Sequence, residues 1–262
     1  IGVEGLIVAL ERSYIDPVII LSINSMNDDN PIAARVRWNT STQMEIMIQE
    51  TSELDNLHAA ETVSWMVVEA GVWDLGGGVV LEADTLDTNN LARQGFERVA
   101  HAADFDGEVA TLSQVQSFTG TSFVRTRQRF GDEDGFQVML EEEQAQNGGG
   151  HSTETIGWVS MGAGATTAGN GALEVGKIAP GVSDDGHLQA FDVDFDDAPI
   201  LFTQMAGRYG VDPAAARAFD VTADGFSVIA EEDASVDAET DHAREIVDWF
   251  AFEEDGLIYA RA

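Results

Sequence analysis

One short pattern, present three times, carries the residues best suited to chemistry. His-x-x-Glu-x-x-x-Trp occurs at His58, Glu61 and Trp65, at His151, Glu154 and Trp158, and at His242, Glu245 and Trp249. An imidazole and a carboxylate together suit zinc or a similar ion, although two ligands per copy need a third from elsewhere. The same pair also suits structural work: a hydrogen bond where a strand begins, or a glutamate paired with an arginine that fixes strand register. One arginine recurs ahead of each motif, at Arg35, Arg127 and Arg217, and the structural reading pairs these with Glu61, Glu154 and Glu245. His-x-x-Glu is too short for the zinc-protease helix motif. The second set of candidates is the acidic runs Glu141-Glu142-Glu143 and Glu231-Glu232-Asp233. Clustered hard oxygens suit calcium, so Glu142, Glu143, Glu232 and Asp233, with the histidines and glutamates of the motif, form the candidate metal set. A solvated acidic rim is the plainer expectation in a chain with 47 acidic residues, and no spaced calcium loop is present.

The segments that must position these residues repeat as well. Alternating apolar runs end in acid at Met44–Glu50, Phe136–Glu142 and Phe226–Glu232, and earlier runs lie at 17–22, 109–114 and 199–204. Period-two alternation between Gly, Asn, Asp and Pro clusters predicts antiparallel strands. Val63, Trp65 and Val67 share one face of the last strand, so Trp65, Trp158 and Trp249 are expected in the core. Successive motif tryptophans are 93 and 91 residues apart. The expected fold is all-β: three tandem antiparallel β-sandwich modules over residues 1–75, 76–166 and 167–262. Leu81-Glu82 and Leu173-Glu174 begin the second and third copies, and their counterpart in the first would precede residue 1. The first copy is therefore expected to lack its first strand, while Gly256–Ala262 trails the third. Two readings follow: the tail lends that strand to a neighbouring chain, or the boundary is arbitrary. Gly76-Gly77-Gly78 and Gly162–Gly169 are expected as linkers, Gly148-Gly149-Gly150 as a loop, and Asp212–Ala218 as a short helical piece.

The bulk chemistry is lopsided. Against 47 acidic residues stand 13 basic ones, for a net charge of −34, and Lys177 is the single lysine. Such a surface repels phosphates and anionic lipid, so nucleic acid and membrane insertion are disfavoured. It attracts cations, and it suits high salt, where self-repulsion is screened. Without cysteine there are no disulfides, thiolate sites or cysteine nucleophiles.

Pro17–Ile23, then Ala34-Arg35, then Thr62–Glu69, in that order and at these separations, resemble the H-type lectin domain, a six-stranded sandwich first known from snail agglutinins. The resemblance covers most of each copy and implies trimeric lectins that bind terminal N-acetylgalactosamine. The sugar-binding arginine of that family would fall near Pro31, Phe123 and Pro213. Its Trp-His pair would fall near Thr51-Ser52, Glu143-Gln144 and Asp233-Ala234. No copy keeps those ligands, so the resemblance implies a fold more than a sugar site. The expectation is a non-enzymatic extracellular or cell-surface array that binds glycans or mediates adhesion. Its rival is a structural subunit of a filament, stalk or layer. Partners would be glycans or further copies in a homo-oligomer, with calcium the candidate cofactor.

Overall fold

A computed structural model describes residues 1–146, 149–168, 171–236, 239–253 and 256. The described chain is all-β, and every ladder is antiparallel. The first repeat contributes β1 (Leu6–Ala9), β2 (Pro17–Ile23), β3 (Ile32–Asn39), β4 (Gln43–Glu50) and β5 (Val63–Glu69). The second runs from the hairpin β6 (Gly71–Gly76) and β7 (Val79–Thr88) through β8 (Glu97–Ala100), β9 (Val109–Val115), β10 (Val124–Asp132), β11 (Gly135–Glu142) and β12 (Glu154–Gly162). The third contains β13 (Gly164–Ala168), β14 (Gly171–Val182), β15 (His187–Ala190), β16 (Ile200–Met205), β17 (Ala214–Thr222), β18 (Gly225–Glu232) and β19 (Glu245–Phe252).

Sheet order repeats with the sequence. The sheets β6-β7-β12-β9 and β13-β14-β19-β16 have the same order, and β8-β11-β10, β15-β18-β17 and β1-β4-β3 are likewise equivalent. In the first repeat the sheet that corresponds to the four-stranded ones is the pair β2-β5, with no strand among the described residues at the place of β7 and β14. Alternation along the last strand explains the packing. On β12, Ile156 and Trp158 face a core shared with Val138 and Leu140 of β11, and Val159 and Met161 face the other way. That second face meets Val18 and Ile20 of the first repeat and Val175, Phe202 and Phe250 of the third, in one cluster built from all three repeats. Each such aliphatic side chain taken from water contributes ~1.5–3 kcal/mol.

Three expectations are corrected. Asp212–Ala218 forms no helix: from Ala214 it is β17, paired with β18. The alanines favour helix in isolation, but cross-strand pairing and burial of Ala214 and Ala218 override that preference. The glycine clusters are not linkers. Gly76, Gly77 and Gly78 all have positive φ and turn the β6–β7 hairpin, while Gly164–Ala168 pairs with β14 as β13. The expected boundaries at 75 and 166 thus fall inside strands that hydrogen-bond to the following repeat. Trp158 and Trp249 are 2% and 3% exposed as core residues, but Trp65 is 39% exposed. Of Gly162–Gly169, Gly148–Gly150 and the 256–262 tail, Gly169, Gly148 and 257–262 lie outside the described residues.

Candidate functional site

The recurrent arginines sit at equivalent places on β3, β10 and β17, the strands at one edge of each three-stranded sheet. Each reaches into a different repeat. Arg127 donates through Nε to the Gly207 carbonyl, through Nη1 to the Ala214 carbonyl and through Nη2 to Glu245 Oε1, each at 2.8 Å. Arg217 donates to the carbonyls of Ser25 and Asp28, each at 3.0 Å, to Asn30 O, to Glu61 Oε1 at 2.7 Å and to Glu231. Arg35 donates to the Ser122 carbonyl at 3.2 Å and to Gln49 Oε1 at 2.6 Å, and its guanidinium lies over the Phe118 ring. The first repeat thus grips the second, the second grips the third, and the third grips the first. The ring is closed.

Arg127 and Arg217 thus pair with Glu245 and Glu61, whereas Arg35 makes no hydrogen bond to Glu154; each of the three motif glutamates is held by its own repeat. Glu154 accepts from the amides of Thr119 and Gly120 and from Ser117 Oγ. Glu245 accepts from the amides of Tyr209 and Gly210 at 2.8 and 2.9 Å. Glu61 accepts from the Asn27 amide at 2.9 Å and from Ser25 Oγ. The motif histidine braces this carboxylate against a second one. His151 touches Glu142 at 2.9 Å and Glu154 at 3.1 Å, and His242 touches Glu232 at 2.5 Å and Glu245 at 3.3 Å. His58 turns instead to the carbonyls of Ala59 and Asn30, with Glu61 at 3.8 Å. Two other predicted ligands also join repeats: Glu143 accepts from the Ser52 amide and Asp233 from the Gln144 amide, both at 2.6 Å.

The electrostatics follow from this wiring. Bonding to Glu154 raises the His151 pKa against burial, with Glu142 adding to the effect. Burial lowers His242, but its bonds to Glu245 and Glu232 outweigh that and raise it. Burial pushes Glu154 up, yet His151, Ser117 and the two amides together bring it down to about 2. Glu245 is likewise depressed, because His242, Arg127 and two amides overcome its burial. Burial pushes Arg35 down to about 10. Burial raises Glu231 despite Arg217 and raises Glu232 despite His242.

Other ties went unanticipated. Asp248, pushed by burial up to about 6, accepts from the Thr111 amide at 2.8 Å and pairs with Lys177, whose Nζ also donates to the Val109 carbonyl. Gln116 clasps β2 through the Ile19 amide and the Pro17 carbonyl, each at 3.0 Å. The Thr203 amide donates to Ser22 Oγ at 3.1 Å. Among the described residues, one carboxylate group, Asp212, Glu232 and Glu239, brings ligand oxygens within 4.8 Å of one another. It takes only Glu232 from the candidate metal set; the other predicted carboxylates accept bonds from protein donors, and the three histidines face carbonyl or carboxylate oxygens.

The polar residues that first suggested chemistry define a class of site: a ring of buried clasps between repeats. Among curated proteins the chain is similar to halomucin of Haloquadratum walsbyi, 29% identical over 257 residues. That match covers 94% of this chain and 3% of halomucin, so the chain spans a small fraction of its relative. No family model and no solved structure matches the chain.

Proposed function

We propose that this chain is a non-catalytic structural unit of a large exported surface protein, three H-type-lectin-like β-sandwich modules locked into one rigid block. The observation that carries this reading is where the recurrent polar residues go. Arg127, Arg217, Glu61, Glu245, Glu143 and Asp233 are all buried and spent on junctions between repeats. A binding array would instead turn its shared polar groups toward a ligand. The similarity to halomucin, a name that joins salt with mucin, supports an exported and saline setting. The net charge of −34 supports it too, since a heavily acidic surface stays soluble where salt screens its repulsion. No helix among the described residues is long and apolar enough to cross a membrane.

The fold resemblance keeps glycan binding as the competing reading, and one experiment separates the two. The protein is screened against immobilised glycans, terminal N-acetylgalactosamine included, in molar salt with calcium or with a chelator. A structural unit gives no saturable binding in either condition. Saturable binding competed by free sugar would overturn the structural reading.

A further inference from the structure

Among the described residues, the last strand of the first repeat is paired on one side only. β12 and β19 each lie between two partners, whereas β5 has β2 on one side and a groove of about 600 Å³ on the other. Tyr14, Trp65, Val67, Trp73, Phe202 and Phe252 line it. This explains why Trp65 is 39% exposed while its two counterparts are core.

The other repeats show what fits there. β7 and β14 run antiparallel to β12 and β19 in equivalent register. Both present Leu-Glu-x-x-x-Leu or Ile: Leu81, Glu82 and Leu86 oppose Met161, Ser160 and Ile156, and Leu173, Glu174 and Ile178 oppose Phe252, Ala251 and Val247. The glutamate has a defined task. Glu82 accepts from the amides of Ala102 and Ala103, and Glu174 from those of Asp192 and Val193. The corresponding residues of the first repeat, Glu11 and Arg12, line the groove.

Ile1 shows where such a strand would end. The Ile1 amine donates to the Glu61 carbonyl, and the Glu61 amide donates to the Ile1 carbonyl at 2.9 Å. Val182, the last residue of β14, pairs with Glu245, the counterpart of Glu61. Val182 stands five residues before β15, and Ile1 stands five before β1. Ile1 therefore stands against Glu61 as Val182 stands against Glu245.

We propose that this groove receives one further β-strand, antiparallel to β5, continuous with Ile1 in the same polypeptide and carrying the pattern Leu-Glu-x-x-x-Leu/Ile. Leucine and isoleucine would cover Val68 and Val63, and the glutamate would take the amides of Glu11 and Arg12. Continuity with Ile1 favours this source over a strand from a second copy, which would have to stop against a rung already made.

The test compares the 262-residue chain with one carrying the sequence of residues 173–181, Leu-Glu-Val-Gly-Lys-Ile-Ala-Pro-Gly, joined directly ahead of Ile1. The extension is expected to shift tryptophan emission to the blue, an effect that Trp65→Phe removes. It should also slow hydrogen exchange of the amides of residues 63–69 by tenfold or more and leave the protein monomeric by light scattering. An extension with aspartate in place of its leucine and isoleucine should do none of this. The proposal is overturned if the native-pattern extension leaves Trp65 and those amides unchanged. It is also overturned if the unextended chain is a dimer in which β5 is already protected, which would name a second copy as the occupant.

Discussion

The three arginine clasps differ in quality, so replacing each arginine by methionine should reveal the difference as a ranking. Methionine keeps much of the apolar stem and removes the guanidinium. At Arg127 this strips partners from two carbonyls, Gly207 and Ala214, and from Glu245. At Arg217 it strips them from three carbonyls and two carboxylates. Orphaning groups around a buried, well-paired charge costs about 3–5 kcal/mol. Arg35 is buried too, but its Nε and Nη2 have no partner, and burial already pushes its pKa down to about 10. A poorly paired buried ion is close to neutral against an apolar replacement, so Arg35→Met should change stability by no more than about 1 kcal/mol. The assay is urea unfolding followed by tryptophan fluorescence, at one fixed high salt concentration. The order Arg217→Met ≥ Arg127→Met, both well beyond Arg35→Met, is expected. Equal losses at all three positions, or a loss at Arg35 matching that at Arg127, would refute the argument that partner satisfaction sets the strength of each junction.

Further outcomes follow from the same wiring. Glu154, held at about 2, and Glu245, also depressed, contribute stability that is present above the ordinary value of 4.5 and lost as pH falls through their folded values. The Glu154 share is on the order of 2 kcal/mol after discounting for solvent screening, and Glu154→Gln should flatten the acid limb of a stability–pH curve measured by urea titration. His151 and His242 have raised pKa values, so their share is fully present below the unfolded value of 6.5 and fades as pH rises through the folded values. His151→Gln should therefore cost more stability at pH 5 than at pH 9. Melting temperature should climb between 0.1 M and 2 M NaCl, because a Debye length falling from ~10 Å to below ~3 Å screens the repulsion of 34 net negative charges; a flat thermal-melt series would show that this repulsion does not limit the fold. A Cβ at Gly210 would stand 2.5 Å from the His242 ring, whereas one at Gly162 meets nothing within 4 Å. Chemical denaturation should show Gly210→Ala costing ~1–3 kcal/mol and Gly162→Ala near zero.

How much of this was legible in the sequence depended on how far each contact reaches along the chain. Phe136, Val138 and Leu140, and Phe226, Val228 and Ala230, recur at period two and marked β11 and β18, because side chains two apart share the face that packs into the core. The three-residue spacing of His151 to Glu154 and of His242 to Glu245 likewise announced a contact that the fold makes. That Arg127 grips Glu245 was not legible: the partners are 118 residues apart and meet only when the ring closes. The glutamate an arginine grips belongs to a neighbouring repeat, which spacing within one copy does not reveal. Ser25 and Ser117 lie 92 positions apart, at the repeat period, and each donates to the motif glutamate of its own repeat, a role that a lone serine in a loop does not announce. Asp212–Ala218 misled because alanine-rich composition speaks for helix wherever the sheet partner is unseen.

The closed order of the clasps has a consequence for how such a chain can change over time. In a ring of three identical subunits, one substitution alters every junction at once, so a damaged contact is damaged threefold. Here each junction is encoded separately, and a loss at one leaves two intact. The contrast between Arg35, with two unpartnered nitrogens, and Arg217, with five acceptors, is what such independence permits. Tandem duplication within one polypeptide lets a once-symmetric contact drift at one address while the others hold the assembly together.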